Sequence, residues 1–408
     1  MTEAAAITRE ATNIEKAVPA CLRTRLGHDM DALLPGFGAP CGKQGEGAAA
    51  TVARENARAV VRRLIQTLPL PREISELLDR WTARKNSTIG ACWHEVFSRI
   101  AFALRNQDRD LAAAVTIRLA IHLGECGEPG HWNATAAFPI QCSWGQWLLP
   151  AFDRITVESD GYEAVLKLGL QEKISRIVFA KAGLAWALVK GAAAPLAMVG
   201  SRSPKVMLLP RISHEENRPG AFPEPVDRIT AEIADRWRGA FQFLRLYAPS
   251  YLRWVQRVVR QIGVLHAVPG TVHSGSYETR YGFIHASALA SIPSSAEMAV
   301  HEASHQYYLL ISRLGPVEDG TDGTLYYSPL VEKKRPLNRI LFAFHACANI
   351  LAFYRLCQTA SSLHQEYFAR NENVVLSQMK QLGKPLFGNP ALTSLGRALL
   401  DPWQGAIS

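Results

Sequence analysis

Two histidines and a glutamate at helical spacing are the residues in this sequence most suited to chemistry. In the stretch SAEMAVHEASHQYYLL, His301, Glu302 and His305 form an H-E-x-x-H motif. On a helix, side chains four positions apart lie one turn apart on the same face, so both imidazoles can bind one metal ion. Such a pair is typical of a zinc protease helix, in which the glutamate is the general base. The motif predicts a metal centre but leaves the metal and the reaction open.

The residues that flank the motif predict the helix that must position it, over residues 294–314. Ser294 is followed three positions later by Glu297, which is the spacing of a capping box at a helix start. Gly315 and the proline after it form a stop signal at the far end. The two histidines therefore lie well inside a long helix.

A metal centre of this kind needs a third protein ligand, and a second helix offers one. Pro336 is placed to open a helix over residues 336–357, whose apolar residues recur at three- and four-residue spacing. His345 lies at the edge of that apolar stripe, facing inward. Three imidazoles from two packed helices would leave several positions on the ion open, so His345 is the predicted third ligand.

Acidic residues between the two helices are the alternative third ligands. Asp322 lies in the loop GTDGTLYY, which resembles the turn that supplies the ligand in aspartate-zincins. Any loop between two helices prefers the same residue types. Glu318 and Glu332 could serve a glutamate-zincin, but neither lies on an obvious second helix. Asp322 and His345 therefore both remain candidates for the third ligand.

The chain as a whole predicts a globular protein that binds neither nucleic acid nor membrane. It has 408 residues, 48% of them hydrophobic and 20% charged, which is a globular composition. Its 45 cationic and 36 anionic side chains are intermixed, so the net charge of +9 forms no block of one sign. A modest attraction to acidic peptides or small carboxylates is all that this charge predicts.

Cysteine usage and the N-terminus predict a soluble protein of the cytoplasm. The seven cysteines form no C-x-x-C pair and are odd in number, which argues against a disulfide framework or a structural zinc site. The first residues, MTEAAAITREATNIEK, contain no apolar segment of the kind a secretory signal needs. The apolar run AGLAWALV is too short to span a bilayer.

The order of patterns along the chain predicts an α+β protein that is predominantly α-helical and is not a cupin barrel. Residues 1–50 are predicted to be an N-terminal segment with a glycine-rich linker, 51–150 a helical region, and 151–408 the catalytic domain. The stretch 125–150 is turn-rich, KISRIVFA and KVMLLP predict strands, and 226–265 predicts long helices.

Several stretches between residues 240 and 357 resemble, in sequence and in order, one known enzyme family. They are APSYLRWVQRVVRQIGVLH, GSYETRYGFIHAS, AEMAVHEASHQYY and YYSPLVEKKRPLNRILFAFHACANILAFY. The family is that of the HExxH-type 2-oxoglutarate-dependent peptide β-hydroxylases, which modify ribosomally made peptides. The resemblance implies iron(II), 2-oxoglutarate and dioxygen, with hydroxylation at a side-chain β-carbon of a precursor peptide. It is weak before residue 240 and absent from the last fifty residues.

The resemblance implies roles for the motif residues. His301 and His305 would bind the iron, and His345 would complete the set. Glu302 would orient ligands, coordinate the metal or bond to a bound water. Many members of the family have a histidine nearer the start of the second helix, where this chain has Phe342. His345 lies one turn further along.

The distal carboxylate of 2-oxoglutarate needs a cationic partner, and a guanidinium can bind it through two hydrogen bonds. Arg335 comes directly before the second helix and is the predicted partner. Tyr327, Ser328 and Lys334 are the predicted helpers.

Two other functions stay open beside the hydroxylase. One is a zinc metalloprotease with Glu302 as general base and Asp322 or His345 as third ligand. The other is a non-catalytic peptide-binding module in which the motif is vestigial.

Overall fold

Helices dominate the protein, with several small sheets among them. In this computed structural model the described residues are 34–40, 43–84, 89–183, 185–200, 205–211, 223–360 and 365–406. Nearly half of the residues are helical and under a quarter are in strands, which confirms the predicted α+β, predominantly helical class. No sheet among the described residues closes into a barrel. Residues 1–33, most of the predicted N-terminal segment, lie outside the described residues.

The N-terminal part of the described chain is all helical. Its helices are α1 (Pro35–Gly38), α2 (Lys43–Thr67), α3 (Arg72–Ala83), α4 (Ile89–Cys92), α5 (Glu95–Arg105) and α6 (Arg109–Glu125). The helical region predicted over residues 51–150 is observed only as far as Glu125, and strands begin at Gly130. The predicted glycine-rich linker is wrong where the structure describes it, because α1 and α2 occupy it and Phe37 and Ala49 are buried. The alanines that follow the glycines favour helix strongly enough to extend α2 towards the N-terminus.

Short strands follow α6. They are β1 (Gly130–Ile140), β2 (Ser143–Trp144), β3 (Trp147–Leu148), β4 (Phe152–Ser159), β5 (Glu163–Leu170), β6 (Lys173–Ala182), β7 (Ala185–Lys190), β8 (Ala194–Pro195), β9 (Met198–Val199) and β10 (Val206–Leu209). The strands predicted from KISRIVFA and KVMLLP are confirmed as β6 and β10.

The larger sheet is an antiparallel five-stranded one in the order β1-β4-β5-β6-β7. Its first strand corrects the prediction of a turn-rich stretch over residues 125–150. Gly130 of β1 pairs with Ser159 of β4, so the strands on either side of residue 150 belong to one sheet. The predicted boundary after residue 150 therefore does not separate two folding units.

A second five-stranded sheet holds the elements next to the motif helix. After β10 come α7 (Ala231–Tyr247), α8 (Pro249–Val258), β11 (Gln261–Leu265), β12 (Ser274–Ser276), β13 (Phe283–Ser287) and α9 (Ile292–Ile311). The strand order is β12-β13-β11-β10-β9, and β10, β11 and β13 run parallel. The predicted long helices over 226–265 are confirmed as α7 and α8, except that their last residues form β11. This strand is buried at every position. A short apolar sequence of that kind is equally compatible with a buried strand and with the end of a helix.

The C-terminal part completes the core. Its elements are β14 (Tyr326–Ser328), β15 (Lys333–Arg335), α10 (Leu337–Ala360), α11 (Gln365–Gly383), α12 (Ser394–Leu400) and a 3-10 helix (Asp401–Ala406). α9 packs against both α7 and α10. A single cluster of buried apolar side chains runs from Leu34 to Trp403, so both ends of the described chain share the core that surrounds α9.

One helix in the described part of the chain is long and apolar enough to cross a membrane by length and composition. It is α10, in the stretch Leu337–Thr359, which is longer than the apolar run AGLAWALV considered above. Since 72% of its most apolar window is buried inside the protein, it is a core helix, as found in soluble proteins.

Candidate metal centre

The motif helix α9 begins slightly earlier than its sequence signals predict. Ser291 is the N-cap, and its hydroxyl accepts the backbone N–H of Ser294 at 3.3 Å. The predicted capping box is therefore wrong. Glu297 instead accepts a hydrogen bond from the hydroxyl of Tyr367 at 2.7 Å. The cap lies three residues upstream because Pro293 favours the first turn of the helix, where its missing N–H costs nothing.

The helix brings the three motif side chains together. The ligating atoms of His301, Glu302 and His305 all lie within 4.8 Å of one another, and no other such trio of His, Cys, Asp or Glu occurs among the described residues. The Nε2 atoms of the two histidines are 3.0 Å apart. Two nitrogens that bind one metal ion at adjacent octahedral positions, with metal–nitrogen bonds of about 2.1 Å, lie about 3.0 Å apart. In a tetrahedral site the same bonds place them about 3.4 Å apart. The same spacing also fits a hydrogen bond between the two imidazoles. The distance alone therefore does not identify a metal site, and the types of the surrounding donor groups must be considered.

Glu302 is buried, and only one of its two carboxylate oxygens has a hydrogen-bond partner. Its side chain is 1% exposed, whereas that of His301 is 29% exposed, so the cluster has one open side. The hydroxyl of Ser274 on β12 donates to Glu302 Oε1 at 2.6 Å. The other oxygen, Oε2, is buried without a hydrogen-bond partner in the described protein. Burial raises the pKa of this carboxyl, and the nearby imidazole of His301 partly opposes the shift.

His305 is held in place by an aromatic ring from α10. The ring of Phe342 stacks on the imidazole with centroids 3.8 Å apart and planes 4° from parallel. Burial lowers the pKa of His305 well below its ordinary value, and the electrostatic influence of the nearby cationic and titratable groups, Arg339 among them, acts in the same direction. The ring is therefore neutral at physiological pH, which is the form that binds a metal.

His345, the predicted third ligand, does not join the cluster. It is fully buried, and its Nε2 is bonded to the backbone carbonyl of Gly38 at 2.9 Å. Asn349, one turn further along α10, donates to the same carbonyl at 3.0 Å. The two side chains thus satisfy a carbonyl at the end of α1 that the helix itself leaves without a partner. Burial lowers the pKa of His345 to about 4, so it is a neutral core histidine.

We expect the three histidines to respond differently to substitution. His301→Ala and His305→Ala should each abolish stoichiometric iron(II) binding, because each removes a nitrogen of the cluster. His345→Gln should leave the stoichiometry unchanged and lower the thermal midpoint, because it disturbs the contact with Gly38 alone. Anaerobic metal titration with thermal unfolding measures both effects. Loss of iron binding in a folded His345→Gln protein would return this residue to the ligand set.

The predicted cosubstrate residues lie on a hairpin beside the start of α10. Tyr327 pairs with Lys334 across β14 and β15, and Ser328 pairs with Lys333. Neighbouring residues of a strand point to opposite faces, so Lys334 and Arg335 cannot both face one ligand. Ser328 is buried at 3% exposure, while Tyr327, Lys334 and Arg335 are exposed. The structure does not bring these four residues together.

Sequence reasoning missed a different arginine. Arg339, in the first turn of α10, lies with its guanidinium 5.9 Å from the centre of the Phe342 ring that stacks on His305. Its Nη2 contacts Glu278 at 3.1 Å, and both side chains are about half exposed. The signal was the sequence RPLNR, in which a second arginine, Arg339, follows Arg335 by four residues, just inside α10.

Asp322, the alternative ligand, is occupied by its own loop. Its carboxylate accepts hydrogen bonds from Asn389 at 2.8 Å, from the hydroxyl of Tyr326 at 2.7 Å and from the backbone of Thr324 at 3.0 Å. These bonds lower the pKa of Asp322 well below its ordinary value. Glu318 and Glu332 are likewise not part of the cluster.

A buried glutamine that the sequence did not single out holds α9 in register with the second sheet. Gln306 is fully buried next to His305. Its Oε1 accepts from Trp93 Nε1 at 3.1 Å and from the backbone N–H of Gly282 at 2.8 Å. Its Nε2 donates to the carbonyl of Phe283 at 3.1 Å. These bonds limit rotation of α9 and so help to fix the direction of the histidines.

The donor set fits a mononuclear metal ion better than a purely structural cluster. Two imidazoles and a carboxylate with one unpartnered buried oxygen form an incomplete hydrogen-bond network, which is costly unless an ion completes it. Comparisons with the models of known families and with curated proteins found no match. The fold and the site together define an α+β protein with a candidate metal centre on its core helix α9.

Proposed function

We propose that this protein is an iron(II)- and 2-oxoglutarate-dependent oxygenase that hydroxylates a side-chain β-carbon of a peptide. The observation that carries the proposal is the composition of the cluster: His301, His305 and Glu302 supply the two histidines and one carboxylate of a non-haem iron facial triad. Glu302 takes the place first predicted for His345. The three-histidine version of the site is withdrawn, because His345 binds Gly38.

The chain's own residues have distinct roles in this proposal. When bound, iron and 2-oxoglutarate would supply the oxidising chemistry, in which dioxygen converts a C–H into a C–OH and the keto acid leaves as succinate and carbon dioxide. Ser274 holds one oxygen of Glu302 and so orients the other. Phe342 covers one face of His305 and keeps water from it. His301, which is partly exposed, lies on the side where substrate enters.

Arg339 is the best placed cation for the distal carboxylate of 2-oxoglutarate. Its positive charge acts on His305, so it lies within electrostatic range of the cluster. Its present partner, Glu278, forms a half-exposed ion pair. Such pairs contribute little free energy, so a ligand carboxylate can displace Glu278. The earlier proposal of Arg335 is kept as the competing assignment.

Paired substitutions will separate the two arginines. We expect Arg339→Met to raise the KM for 2-oxoglutarate by about tenfold or more, since a charge-assisted bidentate contact is lost, with a smaller change in kcat. Arg335→Met should leave that KM within about twofold. Steady-state succinate formation at varied 2-oxoglutarate measures both values. If the larger change in KM follows Arg335→Met instead, the assignment reverses.

A peptide substrate follows from the family resemblance, which also suggests that the peptide is a ribosomally made precursor. We further propose a cytoplasmic location, because the cysteines that the structure describes form no disulfide bond, as is usual in a reducing compartment. The activity would then be a post-translational modification by an oxidoreductase.

A zinc metalloprotease is the second candidate function. The unpartnered Oε2 of Glu302 favours it, because a general base needs an oxygen free to accept a proton from a metal-bound water. The protease would also need a third protein ligand on the zinc. The described residues offer none beside Glu302, since Asp322 and His345 have other partners. This is why the protease ranks below the oxygenase.

The test needs no knowledge of the substrate. We expect the protein with iron(II), ascorbate and oxygen to convert 2-oxoglutarate slowly to succinate in the absence of peptide, and His301→Ala to lose this conversion. Candidate peptides added next should gain the mass of one oxygen. Peptide fragments formed with zinc and without 2-oxoglutarate would instead establish the protease, and peptide binding without any metal dependence would favour the non-catalytic module.

A further inference from the structure

Exposed apolar side chains concentrate on the segment 325–335, which contains β14, β15 and the turn between them and is called the hairpin surface below. Four large hydrophobic residues within this segment are at least 40% exposed. They are Leu325, Tyr327, Leu330 and Val331. Exposed apolar groups scattered singly are ordinary, but four of them within one short segment indicate a candidate binding surface.

Positive charge lies beside these apolar groups. Lys333, Lys334 and Arg335 are consecutive and exposed, and none of them forms an ion pair with another described residue. Glu332 is the neighbouring acidic residue, and its backbone adopts a left-handed conformation with φ of 51°. Because the segment carries three cations against one carboxylate, its local field attracts an acidic partner.

The backbone of the hairpin offers a free edge. β14 pairs with β15 and also contacts α10 and α11. In the part of the chain that the structure describes, β15 pairs with no other strand, so it is the outer strand of a two-stranded sheet. An outer strand presents unpaired N–H and C=O groups to which an extended peptide can add. Lysines on such an edge can simply prevent aggregation, but protection alone would not leave four apolar side chains exposed beside them.

The hairpin surface also leads directly to the metal cluster. Arg335 ends β15, and Leu337 begins α10 two residues later. Phe342, which stacks on His305, follows Leu337 by five residues, or about 8 Å of helix. A peptide docked along β15 would cover that distance with a few extended residues.

We infer that the hairpin surface binds an acidic segment of the peptide substrate, with apolar residues at alternate positions, by strand addition to the outer edge of β15. Lys333 and Arg335 share one face of β15 and pair with acidic side chains on that face of the added strand, whereas the apolar residues of the peptide lie on the other face, where Tyr327 neighbours Lys334. This inference rests on the proposed function only in taking the bound peptide to be the substrate. The docking itself requires neither metal nor cosubstrate.

The test is a binding measurement without iron or 2-oxoglutarate. The probe is a fluorescein-labelled eight-residue peptide of alternating glutamate and valine, and the readout is fluorescence anisotropy. We expect the protein to bind this probe, to bind an alternating lysine–valine probe at least about tenfold more weakly, and to lose affinity for the first probe as salt is raised.

Two sets of variants locate the binding. The triple variant Lys333→Glu, Lys334→Glu and Arg335→Glu should raise the Kd for the acidic probe at least about tenfold. The matched control Lys173→Glu, Arg176→Glu and Lys190→Glu makes the same change of charge at exposed positions of β6 and β7, and should change the Kd by less than about twofold. Leu330→Ser with Val331→Ser should weaken binding without changing the charge. Circular dichroism checks that every variant is folded.

Several results would overturn the inference. The first is that the protein does not bind the acidic probe. The second is that the hairpin triple variant binds the probe as tightly as the unmodified protein. The third is that the control triple variant loses as much affinity as the hairpin triple variant. Binding of phosphatidylserine vesicles through the same cations, in preference to the acidic probe, would make the hairpin surface a membrane contact instead. Because succinate formation without peptide is measured separately, failure here leaves the oxygenase proposal standing, and failure of that assay leaves the docking result standing.

Discussion

Replacing Glu302 by glutamine should lower the affinity for iron(II) at least about 100-fold if the carboxylate is the third ligand. Loss of a hydrogen-bond partner of a ligand alone typically costs 10- to 100-fold, and removal of a charged ligand costs more. Glutamine keeps the size of the side chain and its contact with Ser274, so the fold should persist. Isothermal titration under anaerobic conditions measures the affinity, and succinate formation should fall in parallel.

Ser274→Ala is the matched control for this substitution. It removes the hydroxyl that orients Glu302 but keeps the carboxylate, so we expect a smaller loss of iron affinity, within about 100-fold. The zinc protease predicts another pattern for Glu302→Gln, namely normal metal binding together with loss of peptide cleavage, because a general base is removed and no ligand is. That pattern would end the oxygenase proposal.

Replacing Arg280 by methionine should destabilise the protein by about 3–5 kcal/mol, because it leaves a buried carboxylate without its partner. Arg280 Nη2 lies 2.8 Å from Glu95 Oε2, and both side chains are about nine-tenths buried. Burial alone would raise the pKa of Glu95, but the positive charges of Arg280, Arg118 and Arg99 together outweigh it, and the pKa is lowered to about 2. The pair connects α5 to the segment before β13. Urea unfolding followed by circular dichroism measures the change.

The control for Arg280→Met is Arg72→Met, which breaks the exposed ion pair with Glu76 and should leave the urea midpoint unchanged. The double variant Glu95→Gln with Arg280→Met should recover part of the stability, because the unpaired buried carboxylate is also removed. The pH dependence has a defined sign. The folded-state pKa of Glu95 is below its unfolded value of about 4.5, so its stabilising effect is present above pH 4.5 and is lost as the pH falls towards 2. A urea midpoint unaffected by Arg280→Met at pH 7 would contradict the assigned role of the pair.

The two helices of the site could be predicted from the sequence because their signals are local. Apolar residues at helical spacing and a proline at or just before the first turn define α9 and α10 to within a few residues, and Gly315 marks the end of α9. The exact start of α9 could not be predicted, since Ser291 and Ser294 are both suitable caps and Pro293 decides between them. β1 was missed because its alternation of buried and exposed residues includes small polar side chains and a proline.

The partner that a side chain contacts could not be predicted from the position of its helix in the sequence. His345 is on the inward face of α10, as its position in the apolar stripe predicts, but its partner is the carbonyl of Gly38, 307 residues away in the chain. Phe342, one turn nearer the start of α10, takes the place against His305 that a third imidazole would need. No local pattern could distinguish a histidine that binds metal from one that binds a distant carbonyl.

The sequence alone determined the helical class, the two helices of the site and the pairing of His301 with His305, because these depend on contacts between residues a few positions apart. Only the tertiary structure decided the rest of the donor set. It did so by packing α10 on α9 with Phe342 against His305, by turning His345 to the end of α1, and by closing β12 over Glu302. Those contacts join residues far apart in the chain, and their geometry follows from how the whole core packs.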